Sequence, residues 1–133
     1  MSVERVDLSA DLGVSPGYAY AAKARGGTHV YTAGSVPVDR DGNLIAPGDL
    51  EGQTRAVIAN LELVLDRTGV TPEDVVKTTI YVAAGEQADL PRVWRIFAET
   101  PLAAAPSTLL GVPFLGYSGQ LVEIEAVAIT GVP

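Results

Sequence analysis

Leu121-Val122-Glu123-Ile124-Glu125-Ala126-Val127-Ala128-Ile129-Thr130 reads as one long strand, and its alternation decides the fold. Val122, Ile124, Ala126 and Ala128 form a small apolar face suited to lie under helices. The opposite face carries Leu121, Glu123, Glu125, Val127 and Ile129. Strand rise puts its two carboxylates roughly 7 Å apart. Apolar neighbours disfavour an ionised carboxylate, and each negative charge disfavours the other. A pair so placed can act as general acid or base, or orient a water. An arbitrary glutamate pair is more often solvated or matched with Lys or Arg. A face otherwise made of Leu, Val and Ile is a poor wet surface, so the bland reading has less force here than for an arbitrary pair.

Upstream, Ser107 to Val112 reads as a short strand, joined to the long one by Pro113–Gln120. Val75 to Ala83 reads as another, with Val76, Thr78, Ile80 and Val82 on one side and Val75, Lys77, Thr79 and Tyr81 on the other. Between these two strands a helix is expected from about Asp89 to Glu99. Pro91 is tolerated in its first turn, and Leu90, Val93 and Phe97 mark its buried stripe, with Ile96 beside it. The clearest helix precedes them. Asp49 can cap it, and Val57, Leu61, Val64 and Leu65 fall at i, i+4, i+7 and i+8, one apolar face. Arg55, Glu62 and Asp66 face away, and Gly69 supplies the C-terminal stop. Thr71-Pro72-Glu73-Asp74 is a short turn, as is Asp39-Arg40-Asp41-Gly42-Asn43, where Gly42 or Asn43 can take positive φ. Tyr18–Ala24 and His29–Thr32, on either side of Gly26-Gly27, read as a hairpin. Residues 1 to about 15 read as an irregular or edge-strand lead-in.

The order is β-β-α-β-α-β-β, an α+β fold with a mixed sheet and both helices on one face. With 133 residues and no dividing linker, residues 1–133 are expected to form a single domain. The other sheet face is left bare, and another copy of the chain is its simplest cover. Hydrophobic residues make up 47%, enough for a core and for such an interface. The net charge of −7, with no basic run, opposes nucleic-acid binding. Absent cysteines exclude a disulfide scaffold and a thiol nucleophile, and a single histidine, His29, excludes a multi-histidine metal site. No stretch approaches the roughly 20 apolar residues that span a bilayer, and the charged start lacks a signal peptide's apolar region. A cytoplasmic protein is the expectation.

Other candidates are bland. His29 reads as an edge residue. Ser107 and Thr108 open a strand, where hydroxyls usually satisfy local groups. Gly111-Val112-Pro113 and Gly116-Tyr117-Ser118-Gly119 lack the strand–loop–helix context of a phosphate cradle.

Four segments together resemble the RidA (YjgF) family. Thr32-Ala33-Gly34-Ser35-Val36-Pro37-Val38-Asp39 resembles its "(T/S)SGQIPVD" block, and Glu51–Leu61 its "EQTRQVLENL" helix. Val75–Val82 resembles "VVKTTVFV", and Leu121–Ala128 resembles "LVEIEAIA". The blocks keep family order and spacing over about residues 18 to 130. The resemblance implies a homotrimer of chorismate-mutase-like subunits, a central barrel, and ligand clefts between subunits. It also implies hydrolysis of reactive enamines and imines, such as 2-aminoacrylate, to a 2-keto acid and ammonia, with no metal or organic cofactor.

Carried over residue by residue, the water-positioning glutamate is Glu123, the family tyrosine is Tyr20, and the cleft glycine is Gly34. Three positions depart. Pro106 stands where the family arginine grips the substrate carboxylate, Ala33 replaces a serine, and Trp94 replaces an asparagine. Ser107 and Thr108 follow Pro106 along the same cleft wall. Losing a guanidinium removes a bidentate grip, and Trp adds a flat apolar wall. Both changes push the pocket toward a larger, less charged ligand that can be aromatic. Arg92 and Arg95, near Trp94, are candidates for a relocated charge, although a solvent-facing helix surface is the commoner fate of such residues. The expected function is cofactor-independent hydrolysis of imine, enamine or related carbonyl-type intermediates, with 2-aminoacrylate a poor substrate. The alternative is a non-catalytic small-molecule-binding trimer or pathway scaffold. The ribonuclease label also attached to the family sits badly with the acidic charge and the lack of a basic aromatic groove.

Overall fold

The computed structural model describes residues 3–131. Its elements in chain order are β1 (Val3–Val6), a one-turn α1 (Ser9–Leu12), β2 (Ala21–Ala24) and β3 (Thr28–Tyr31). Then come α2 (Leu50–Arg67), β4 (Val75–Val82), α3 (Asp89–Phe97), β5 (Ser107–Gly111) and β6 (Val122–Thr130). The main sheet runs β3-β6-β4-β5, with β4 and β5 parallel and the other pairs antiparallel. The α+β class, the mixed sheet and the one-sided helices stand as expected.

The long strand is central, as its alternation requires. Val122, Ile124, Ala126 and Ala128 are buried under the helices, against Val57, Leu61 and Leu65 of α2 and Val93 and Phe97 of α3. α2 starts where Asp49 accepts the Gly52 N–H at 3.0 Å. It stops in a Schellman turn, with Gly69 at φ 77° and Val70 N–H bonding the Leu65 carbonyl at 2.9 Å. Gly42, at φ 85°, takes the positive-φ place in the turn that Asp39 closes.

Four expectations need correction. Val64 is 40% exposed, and the buried stripe of α2 runs instead through Gln53, Thr54, Val57, Ile58, Leu61 and Leu65. The two polar members are buried because they serve backbone groups, Thr54 bonding the Leu50 carbonyl and Gln53 the loop before β6. In β4 a bulge between Val75 and Lys77 exchanges the first residues, so Val75 is buried and Val76 is not. α3 ends at Phe97, two residues before Glu99. Finally, β2 and β3 do not pair. β2 pairs with β1, while β3 takes the free edge of β6, where Thr28 to Tyr31 match Thr130 to Val127. Gly26 and Gly27 (φ 66° and 71°) carry the chain between them. β6 has nine residues, so the chain beyond β3 keeps bonding to it, Thr32 N–H to the Ala126 carbonyl and Ser35 across from Ile124. The lead-in is thus partly an edge strand, and Arg5 anchors it by donating to the Pro72 and Val75 carbonyls.

Candidate functional site

Register across the sheet sorts the candidate residues by face. Thr78, buried, pairs with both Ser107 and Ala126, so this row lies under the helices. The next rows point the other way. Glu123, Tyr81 and Leu110 form one, Glu125, Thr79 and Thr108 a second, and Val127, Lys77 and Tyr31 a third. These side chains stay partly or largely exposed. The uncovered face therefore holds both glutamates, as the alternation of β6 predicts.

Glu123 is held from two sides. Gln120, 4% exposed, donates its Nε2 to Glu123 Oε1 at 3.1 Å and to the Val122 carbonyl at 3.0 Å. The Tyr117 N–H bonds Gln120 Oε1 at 3.1 Å, which fixes which end of the amide faces the carboxylate. Gln53 in turn accepts the Leu121 N–H at 2.8 Å and donates to the Gly119 carbonyl at 3.1 Å, so α2 pins the loop that carries Gln120. On the second side, the carboxylate lies directly over Gly34. A Cβ at that position would collide with Glu123 Oε2. The strip around Gly34 is fastened to β6 where Ala126 N–H bonds Thr32 Oγ1 and Ser35 bridges Ile124. Ala33, exposed, lies within the same strip.

Glu125 accepts a 2.7 Å hydrogen bond from the Tyr81 hydroxyl. That bond, then desolvation, then the charges of Glu125 and Glu123 push the Tyr81 phenol above the ordinary tyrosine value. Lys77 donates to Thr108 Oγ1 at 2.6 Å. Pro106 precedes β5, and its carbonyl accepts the Thr78 N–H at 2.9 Å.

A second group of candidates gathers elsewhere. Trp94 lines a cavity of about 410 Å³ with Pro16, Tyr18, Leu90, Ser107 and Leu109, on the helix side of edge strand β5. Its indole N–H donates to the Pro16 carbonyl at 3.0 Å. Tyr18 meets Trp94 edge-on at 5.9 Å and Tyr20 at 6.0 Å. The Tyr20 hydroxyl donates to the Gly13 carbonyl at 2.5 Å. Ser107 faces this side, its Oγ accepting from Thr78 at 2.8 Å. One subunit thus brings together Glu123 and Gly34, with Thr108 on the same face. It gathers Tyr20, Trp94 and Ser107 on the other side of the sheet.

Arg92 is not a spare cation. It makes two hydrogen bonds to Glu51, at 2.7 and 3.0 Å, and one to Asp89 at 2.7 Å. Arg95 is exposed. His29 is exposed on the edge strand, 3.5 Å from the Tyr31 hydroxyl. Among the described residues no cluster of three or more His, Asp or Glu side chains is placed to hold a metal ion, and no helix is long and apolar enough to cross a membrane.

Gln120 and Tyr81 were not singled out from sequence. Tyr81 shares the Lys77–Thr79 side of its strand, which was legible; its partnership with Glu125 needs the register between β4 and β6. Gln120 sits in a loop with no periodicity to read.

The family described as endoribonuclease L-PSP matches residues 13–130. A RutC family protein of Pyrococcus abyssi is 30% identical over 111 residues, covering 82% of this chain and 84% of the relative. Among solved structures, a protein of unknown function of the conserved Rid family, YyfB from Yersinia pestis, superposes with a TM-score of 0.82 at 32% identity. The match covers 97% of this chain and 99% of that one. A member of the YjgF/YER057c/UK114 family from Mycobacterium tuberculosis gives a TM-score of 0.62 at 29% identity, covering 97% and 100%.

Proposed function

The chain belongs to the endoribonuclease L-PSP family, which includes the Rid (YjgF) proteins, and from that premise we propose that it hydrolyses reactive imines or enamines bulkier than 2-aminoacrylate in a cleft between copies of itself. The observation that carries this reading is the placement of Glu123, aimed by Gln120 and pressed over Gly34 on the uncovered sheet face. A carboxylate held there can take a proton from water as the water oxygen adds to the C=N carbon. The proton passes to nitrogen to give a carbinolamine; its hydroxyl then yields its own proton to nitrogen as the C–N bond breaks, so that ammonia leaves behind a carbonyl product. No redox partner enters this balance.

The division of candidates between two sides of the sheet supports a homotrimer with composite clefts. Glu123, Gly34 and Thr108 of one copy would meet the Tyr20–Tyr18–Trp94 wall of the next. Pro106 offers no guanidinium to a small carboxylate, and Arg92 is already engaged by Glu51 and Asp89. Trp94 and Tyr18 supply apolar area for a larger guest.

The test is ammonia release from 2-aminoacrylate and from bulkier, aryl-bearing imines, with Glu123→Gln as control. Turnover of the bulkier imines is expected, falling roughly a hundredfold or more in Glu123→Gln. Fast turnover of 2-aminoacrylate would contradict the size assignment, and equal rates in both proteins would remove Glu123 from the chemistry. Tight binding without turnover would favour the alternative, a non-catalytic binding trimer, which the loss of the arginine position specifically motivates.

A further inference from the structure

We propose that Lys77 and Thr108 form the anion-binding end of this site and hold a carboxylate of the guest well away from the atom on which Glu123 acts. The inference rests on the functional reading of Glu123 given above. Lys77 is the single Lys or Arg on the four strands of the main sheet. It lies on the uncovered face and makes no ion pair among the described residues. The two carboxylates of that face are matched to neutral donors, Glu123 to Gln120 and Glu125 to Tyr81.

The ammonium turns away from them, toward β5, where it donates to Thr108 Oγ1. An ammonium has three donors and a hydroxyl that accepts one bond still has its own proton to give. The remaining ammonium protons of Lys77 and the hydroxyl proton of Thr108 therefore present adjacent donors, a cradle for an anion. Glu123 is drawn the opposite way, toward Gly34 at the β3 side. Two strand spacings, roughly 10 Å, separate β6 from β5. A three-carbon acid cannot bridge that span within one subunit, whereas a longer carboxylate-bearing guest can.

Binding is tested by calorimetry on the full-length protein, with 7-oxooctanoate, its neutral counterpart 7-oxooctanamide, and pyruvate as the short comparator. The long acid is expected to bind roughly ten- to a hundredfold more tightly than the amide, the range of a charge-assisted contact. That preference should vanish in Lys77→Met, persist in Lys77→Arg, and shrink in Thr108→Val while amide binding is unchanged. An equal preference in Lys77→Met, no preference in the wild type, or pyruvate binding as tightly as the long acid would each overturn the proposal. So would a Lys77→Met protein that changes assembly state but not selectivity, because Lys77 would then serve a neighbouring copy. Glu123→Gln should leave the acid–amide preference intact, so a failed catalytic reading and a failed anion site give different results.

Discussion

At Gly34 the missing side chain is what lets a carboxylate lie against the backbone. The nearest atoms to an added Cβ are the outer atoms of Glu123, which is flexible, so Gly34→Ala should move the carboxylate without breaking the fold. We expect a melting temperature within a few degrees of wild type. Hydrolysis should fall about tenfold or more, as misplacement of a catalytic group predicts. Unchanged rates would show that Glu123 works from another position. Tyr81 offers a pH test at the same scale. Its phenol is raised in the fold, so the neutral form is favoured there. The stability this contributes is fully present below the unfolded tyrosine value, near 10, and is lost as pH rises through the higher folded value. In alkaline unfolding titrations, Tyr81→Phe should flatten the decline above about pH 10; an unaltered slope would mean the Glu125 bond does not favour the neutral phenol.

Arg92 links the helices by donating from α3 to Glu51 of α2 and to Asp89 of its own first turn. That guanidinium lowers the Glu51 carboxyl below its ordinary value of 4.5. The linked stability is present above the unfolded value and lost as pH falls through the folded one. Arg92→Met should therefore be destabilised at pH 7 in urea melts, and its deficit should narrow as pH drops below about 4.5. A constant deficit would assign the loss to packing of the arginine stem. This scale also shows what could be read in advance. Asp49, Gly69 and the alternation of Val122 to Ala128 carry their structural meaning locally, and each sits where its pattern places it. Val76 is displaced by a bulge, and β3 leaves β2 for a longer partner; both depend on competition between strands distant in sequence. Val64 misleads because an i+7 spacing aligns it with Val57 around the helix, whereas its exposure is set by what packs against that turn of α2, which periodicity does not record.

For the whole molecule, the uncovered face is the decisive feature. It combines Val127, Ile129, Leu110 and Tyr31 with an ordered polar cluster around Glu123 and Glu125, a composition suited to a partner surface with a pocket in it. The family resemblance named the candidate residues as a set, yet a single subunit divides them between the two sides of its sheet. Neither composition nor periodicity contains that division, because it arises from the way α3 and the lead-in pack around edge strand β5. A chain of net charge −7 with one Lys on its main sheet gives little purchase to a phosphate backbone.

The most direct measurement is ammonia release by subunits mixed from two impaired proteins, Glu123→Gln and Trp94→Ala, co-refolded in equal amounts. If each cleft draws Glu123 from one copy and Trp94 from the next, about a quarter of the clefts in a random trimer recover both intact halves. Activity should rise to about that fraction of wild type. Activity no higher than the mean of the two separate variants would place both halves in one subunit and contradict the composite site.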